Sequence, residues 1–389
     1  MPASDSTTQL DVDYAPVREA LAARDGTAFV HVGSSDDPIL RYLARTSGVA
    51  GELAVCVTPE QSMLFASDAP DAAREAFPGD RVLPAGAGVP TGERVAVALD
   101  DLGRSGTVLA PRILPHDAAL YLEGEGFDVA STAVVEQSRV AKTDGERLRH
   151  RTVQAAADAG VARARTVLRE SERHAGDGGH GAGGGDDALH ADADDHVAFE
   201  GRALTTERLR REVAAELAVG GVGPGVVAVG AGADATPRSD AAIRPGEPVV
   251  LALAPRGREG YHGRIVRTLV PDGDGGWTRR AQLAADGGVD AALAELEAGV
   301  TVATVEREGV AELTAYGFDG ADGTFDAHGV GLEGRERPVE DDAEIPAGAV
   351  VALDATVHGP DGVVRVADLA VVADDGAERL GAADRSISP

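Results

Sequence analysis

The sequence predicts two domains of different class, an α/β domain followed by an α+β domain, and three observations carry that reading. Helix-spaced and strand-like apolar runs alternate through about the first 135 residues. A capping box at Thr143 then opens one long amphipathic helix, and the chain closes on two strand-like runs bracketing a Gly-Pro-Asp-Gly turn. At 389 residues the chain is long enough for two or three domains at about 150 residues each.

In order, Val17, Leu21 and Ala22 keep helical spacing, Ala28–Val32 is a short apolar run, and Ile39, Leu40 and Leu43 begin a second helical piece. Strand-like runs follow at Leu53–Val57 and Met63–Ala66, a helix at Pro70–Phe77, and further strand-like runs at Val95–Leu99 and Phe127–Val135. These make residues 1–137 the first domain and 138–389 the second. Thr143 and Glu146 each satisfy a free donor at the helix start, and Val153, Ala157, Val161, Ala164 and Leu168 keep its apolar face to about residue 170. Residues 173–196 are almost wholly Gly, Asp, Ala and His and offer no apolar face, so a flexible acidic insertion is expected. It carries His174, His180, His190 and His196, which read as a solvated loop or as a weak divalent-cation binder. Beyond it, Thr205–Val219 is an amphipathic helix, and Val226–Val229, Pro248–Ala254 and Tyr261–Val270 are strand-like. Helices are expected near 279–298 and 301–316, before the closing hairpin of Val350–Val357 and Val363–Val372.

Asp and Glu number 65 against 36 Lys and Arg, a formal net charge of −29. That balance excludes a non-specific nucleic-acid binder or a binder of anionic membranes, both of which need a basic face. Lys142 is the only lysine, so the other 36 − 1 = 35 cations are arginine. Acid excess with almost no lysine reads as a high-salt cytoplasm, where charge repulsion is screened within about 3 Å at 1 M; an acidic protein from a GC-rich bacterium is the alternative. Only Cys56 is present, which rules out an internal disulfide or a cysteine zinc site. No signal-peptide pattern opens the sequence and no run of about 18 apolar residues occurs, so a cytoplasmic protein is expected.

Four strings add more than periodicity. SRVAKTDGERLRHRTVQAAADAG at 138–160, RPGEPVVLALAPRGREGYHGRIVRTLV at 244–270, AHGVGLEGRERP at 327–338 and IPAGAVVALDATVHGPDGVVRVADLAVV at 345–372 fall in the order of one family. The chain resembles the metallopeptidases that include prolidase, Xaa-Pro aminopeptidase, methionine aminopeptidase and the metal-free relative creatinase. The resemblance implies an α+β pita-bread catalytic-type domain preceded by an α/β creatinase/prolidase-like N-terminal domain, and a two-fold homodimer.

Peptidases of that family hold two divalent cations on two aspartates, one histidine and two glutamates, a hard-ligand set suited to polarising a carbonyl and generating hydroxide. Carried over, the first aspartate position is Ala252, which has no lone pair, and the second is Arg264, a permanent cation. A unit positive charge about 4 Å from a divalent ion costs about 8 kcal/mol at an effective dielectric of 20. The histidine is kept as His328 and the first glutamate as Asp354, while the second falls on Ala367. Asp368 beside it faces the other side of the strand and cannot substitute. The resemblance also places family histidines where Arg238 and Arg335 stand, with Glu336 and Pro338 retained.

Each survivor has an ordinary structural explanation beside a functional one. His328 is either a core histidine or a functional one, Asp354 is expected to pair with Arg264, and His262 either lines the pocket or is a polar wall residue. Gly329, Gly331 and Gly334 are expected to serve loop conformation. Three functions stay open. The first is a non-catalytic paralogue that needs no cofactor and whose cleft, with Arg238, Arg264 and Arg335, binds a small anionic or peptide ligand. The second is an active Xaa-Pro aminopeptidase or dipeptidase with Mn, Co or Zn on His328, Asp354 and further ligands. The third is a partner-binding dimer with an inert cleft.

Overall fold

A computed structural model of the chain describes residues 10–66, 70–84, 88–174, 195–232, 235, 237, 241–273 and 275–389. They form two compact units: residues 1–146 with 258–260 and 331–337, and residues 147–257, 261–330 and 338–389.

The first unit contains α1 (Ala15–Ala23), β1 (Gly26–Ser34), α2 (Pro38–Ala44), β2 (Glu52–Val57), β3 (Ser62–Ala66), α3 (Pro70–Ala76) and β4 (Arg81–Pro84). It continues through α4 (Thr91–Asp101), β5 (Thr107–Ala110), α5 (His116–Gly124), β6 (Asp128–Ser131) and α6 (Val134–Ser138). The six strands form one sheet in the order β4-β3-β2-β1-β5-β6. Alternation along β1 sends Phe29 into one core with Leu21, Leu40 and Val135, and Ala28 and Val30 into another with Val95, Leu99 and Leu122. Helices therefore cover both faces, the α/β arrangement the alternating pattern predicts.

Two expected strands fare differently. Val95–Leu99 lies inside helix α4, because Val95, Ala96 and Leu99 are buried while Val97 is exposed, a helical rather than a two-residue period. The run Phe127–Val135 is split: β6 ends at Ser131 and Val134 already begins α6.

The second unit opens on α7 (Asp144–Arg169), whose first turn carries the predicted capping box: Glu146 N donates to Thr143 Oγ1 at 3.3 Å, and Thr143 N donates to Glu146 Oε2 at 2.9 Å. Then come β7 (Glu172–His174), β8 (His196–Phe199), β9 (Arg202–Ala203), α8 (Thr206–Val219), β10 (Gly223–Ala231), β11 (Val249–Arg256) and β12 (Ile265–Leu269). The unit ends with α9 (Trp277–Glu295), α10 (Val302–Ala315), β13 (Gly323–Gly329), β14 (Val350–Gly359), β15 (Gly362–Ala373) and β16 (Gly376–Arg379). Of the expected insertion at 173–196, residues 175–194 lie outside the described residues; Arg173, His174 and His196 belong to strands paired with each other rather than to a loop.

The main sheet runs β10-β11-β12-β15-β14-β13, antiparallel throughout, with β16 added on β15. Gly359 pairs with Gly362, so Pro360 and Asp361 form the two-residue loop of the predicted hairpin. The apolar faces of α7 and α8 pack on Leu251, Leu253, Ile265 and Leu269. No helix among the described residues is long and apolar enough to cross a membrane.

Candidate functional site

Strand register places three of the carried-over positions, Ala252, Ala367 and Asp354, in one row. Ala228 pairs with Ala252, Ala252 with Val266, Val266 with Ala367, Ala367 with Asp354, and Asp354 with Asp326. Directly opposed residues of an antiparallel sheet share a face, so these six side chains line one side of six successive strands. It is the side opposite the α7 and α8 core, which takes Leu251 and Leu253 from the other parity of β11. Val250, Val266 and Ala367 pack together with Ala252 and Ala235, so the middle of the row is a floor of methyl groups.

Charge gathers at the β14 end. Asp354, only 4% exposed in its side chain, accepts at Oδ2 from Arg264 and, at 2.8 Å, from Arg365. Arg365 stands two residues before Ala367, opposite Thr356, whose hydroxyl accepts from its Nε at 3.1 Å. The expected Arg264 partner is therefore joined by a second guanidinium, from a residue that the sequence reading did not single out. Strand alternation from Ala367 was the signal that could have found it. Oδ1 of Asp354 is buried with no protein hydrogen-bond partner among the described residues.

Arg264 lies just before β12, and its backbone N–H donates to Oε1 of Gln154 on α7 at 3.1 Å. Gly263 makes that approach feasible: a Cβ there would come within 3.1 Å of Val153 and 3.2 Å of Gln154. His262 does not continue β12; it forms an isolated bridge with Arg256, and its carbonyl accepts from Nδ1 of His150 at 2.9 Å. His328, buried on β13, has Nδ1 at 2.7 Å from Oδ2 of Asp326. A carboxylate only accepts, so that nitrogen carries the proton. His328 is thus held by a side-chain carboxylate.

Arg335 and Glu336 belong to the segment 331–337 of the first unit. Arg335 is exposed, whereas Glu336 is buried and accepts from Lys142 at 2.9 Å and from Arg139. Burial alone would raise the Glu336 pKa, but Lys142 and Arg139 outweigh it and hold the carboxyl below its ordinary range. None of Gly329, Gly331 and Gly334 is among the residues with positive φ, so no left-handed conformation requires glycine there. Gly331 instead leaves room for Glu336, whose Oε1 would lie 2.0 Å from an added Cβ. Arg238 lies outside the described residues.

This donor set does not fit a pair of divalent cations. The row supplies methyl groups at Ala252 and Ala367, and its buried carboxylate already neutralises two permanent cations. Among the described residues no three His, Cys, Asp or Glu side chains converge to hold a metal ion. Asp368, beside Ala367, points to the helix side as alternation requires and pairs there with Arg267, Arg379 and Arg385.

The overall fold has close relatives among solved structures. The prolidase from Pyrococcus horikoshii OT3 superposes with a TM-score of 0.75 at 17% identity, covering 96% of this chain and 98% of that one. The Xaa-Pro dipeptidase from Bacillus anthracis gives 0.77 at 18%, covering 96% and 98%, and the His350Ala aminopeptidase P of Escherichia coli 0.70 at 16%, covering 95% and 94%. No curated protein matches the chain in sequence. The likeness establishes the pita-bread fold with its preceding α/β domain, as the four sequence strings imply. Sequence-level membership comes from the model of metallopeptidase family M24, which matches residues 148–374. That match spans more than half of the chain and contains Ala252, Arg264, His328, Asp354 and Ala367, so this protein belongs to metallopeptidase family M24.

Proposed function

We propose that this chain is a non-catalytic member of its Xaa-Pro peptidase-like family, in which the dinuclear metal cleft is lost and the remaining charged pocket binds a small carboxylate or peptide ligand. The observation that carries the reading is the single buried carboxylate of Asp354 held by Arg264 and Arg365. A cation entering beside Arg264 would meet about 8 kcal/mol of repulsion at an effective dielectric of 20. A donor set that does not suit the cation pair lacks the metal-activated hydroxide on which the family's peptidases rely. Binding chemistry remains. Guanidinium groups take carboxylates, the methyl floor of Ala252, Val266 and Ala367 accepts an apolar body, and the buried Oδ1 of Asp354 accepts an N–H. A short peptide supplies all three.

The test is hydrolysis of Xaa-Pro dipeptides and longer Xaa-Pro peptides in molar salt with Mn2+, Co2+ or Zn2+, before and after chelation. No turnover above background is expected in any condition; chelator-sensitive turnover overturns the loss of catalysis. The binding half is read separately, as a rise in melting temperature with short peptides or aliphatic carboxylates. An unchanged melting temperature overturns it and leaves the cleft as scaffold.

A further inference from the structure

We propose that His174 and His196 form a binding site for a divalent transition-metal ion, Zn2+ or Ni2+ in chemistry, on the outer face of the β7–β8 hairpin. The two histidines are directly opposed in the antiparallel register, beside the pairs Arg173 with Val197 and Glu172 with Ala198. Val197 and Phe199 enter the core of the second unit, so the alternate residues His196 and Ala198, with their partners His174 and Glu172, face outward. The imidazoles open on a cavity of about 550 Å3 that Glu170, Glu172 and Glu200 also line.

The spacing of the rings is the specific observation. A zinc–imidazole bond is 2.0–2.1 Å long, which puts the ring centre about 3.2 Å from the ion; two rings at a tetrahedral angle then have centres about 5.2 Å apart. The centres of His174 and His196 are 5.3 Å apart, with planes inclined by 46°. Imidazole is a borderline ligand that favours Zn2+, Ni2+ and Cu2+ over Mg2+ or Ca2+. Two arginines near the cavity are paired with carboxylates: Arg173, which also lines it, binds Asp195 through Nε at 3.2 Å and Nη2 at 2.6 Å, and Arg208 binds Glu200 at 3.0 Å. Glu170 and Glu172 therefore add negative potential around the pair. Because no third ligand already converges among the described residues, the ion would be held by two imidazoles, with water and a rotated Glu172 completing its shell. Such a site is open and exchangeable, and its existence does not depend on whether the family's reaction survives in the sheet.

Calorimetric titration of the full, chelator-stripped chain with ZnCl2 and with NiCl2 tests it. One saturable site per chain is expected, weakened at least tenfold in His174→Ala and in His196→Ala and kept in His328→Ala. Circular dichroism checks that each variant is folded; both hairpin histidines sit on an outward face, so loss of structure is not expected. Absence of saturable binding, equal affinity in either hairpin variant, loss of affinity in His328→Ala alone, or preference for Mg2+ over Zn2+ each overturns the proposal.

Discussion

Replacing Asp354 by Asn distinguishes a carboxylate that neutralises arginines from one that waits for a metal. The substitution keeps shape and one carbonyl acceptor but removes the charge shared by Arg264 and Arg365. At about 4 Å and an effective dielectric of 20, each attraction is worth about 4 kcal/mol, or about 8 kcal/mol gross. Three effects reduce that figure. The two guanidiniums repel each other, the carboxylate is desolvated at 4% exposure, and Arg264 and Arg365 are 23% and 32% exposed and so partly screened. A net destabilisation of about 3 kcal/mol follows, the usual cost of breaking one side of a buried pair. At about 2–4 °C per kcal/mol for a unit of this size, the melting temperature should fall by about 6–12 °C. Scanning calorimetry in molar salt, with and without EDTA, reads the result. The same fall is expected in both buffers, and the Arg264→Met/Asp354→Asn double variant should be less destabilised than the sum of its parts by about 1–2 kcal/mol. A fall seen only without chelator, or one below about 1 kcal/mol with it, would refute the reasoning.

Two pH predictions use other buried carboxylates. Glu336 is held below its ordinary range, so its stabilising contribution is present above the unfolded carboxylate pKa of about 4.3 and is lost as pH falls through the lower folded value. Glu336→Gln should therefore lower the urea midpoint at pH 7, yet flatten its decline between about pH 5 and 3; an unchanged acid limb would contradict the pairing with Lys142 and Arg139. Asp286 is pushed up to about 6, chiefly by burial, against the opposing pull of Arg385 and the hydrogen bond from Gln282. The folded value lies above the unfolded one, so stability is full below the unfolded value of about 4 and is lost as pH rises through about 6. Asp286→Asn should raise stability at pH 8 by about 1 kcal/mol, discounted for partial exposure, and leave pH 4 unchanged; a gain of equal size at pH 4 would assign the effect to packing.

Local rules read well wherever one residue's chemistry decides an element. The Thr143/Glu146 capping box starts α7, Thr205 accepts from Arg208 N at the start of α8, and the Gly-Pro-Asp-Gly turn closes β14 on β15. They fail where short apolar runs carry no period of their own. Val95–Leu99 reads as a strand until burial shows Val97 turned outward, and β13 went unmarked because Asp326 and His328 interrupt its apolar residues. The site was legible as positions but not as a network. Alternation from Ala367 could have found Arg365, whereas the contacts of the segment 380–389 depend on chain neighbours far away. That segment has no helix or strand, yet Arg267 donates to the carbonyl of Asp384, Gln282 to that of Arg385, and Val270 N to that of Ile387. No pattern in the segment itself announces those acceptors.

Neighbouring residues of β15 show how one strand presents a methyl group on one face and a carboxylate on the other. Ala367 faces the open side, opposite Asp354, whose carboxylate is already shared by Arg264 and Arg365. Asp368 faces the helices, where Arg267 has no exposed surface at all and two further guanidiniums, from Arg379 and Arg385, converge on the same carboxylate. Burial alone would raise the Asp368 pKa, but those three arginines hold it below the usual carboxylate range. Removing that acid would leave Arg267 buried and unneutralised, a cost of several kcal/mol that a fold cannot absorb. On the open face two guanidiniums, Arg264 and Arg365, share the one buried carboxylate of Asp354, and Ala252 and Ala367 add methyl groups rather than further charge. Each face of the strand pair therefore keeps one carboxylate with its own guanidiniums, Asp368 with Arg267, Arg379 and Arg385 on the helix side and Asp354 with Arg264 and Arg365 on the open side.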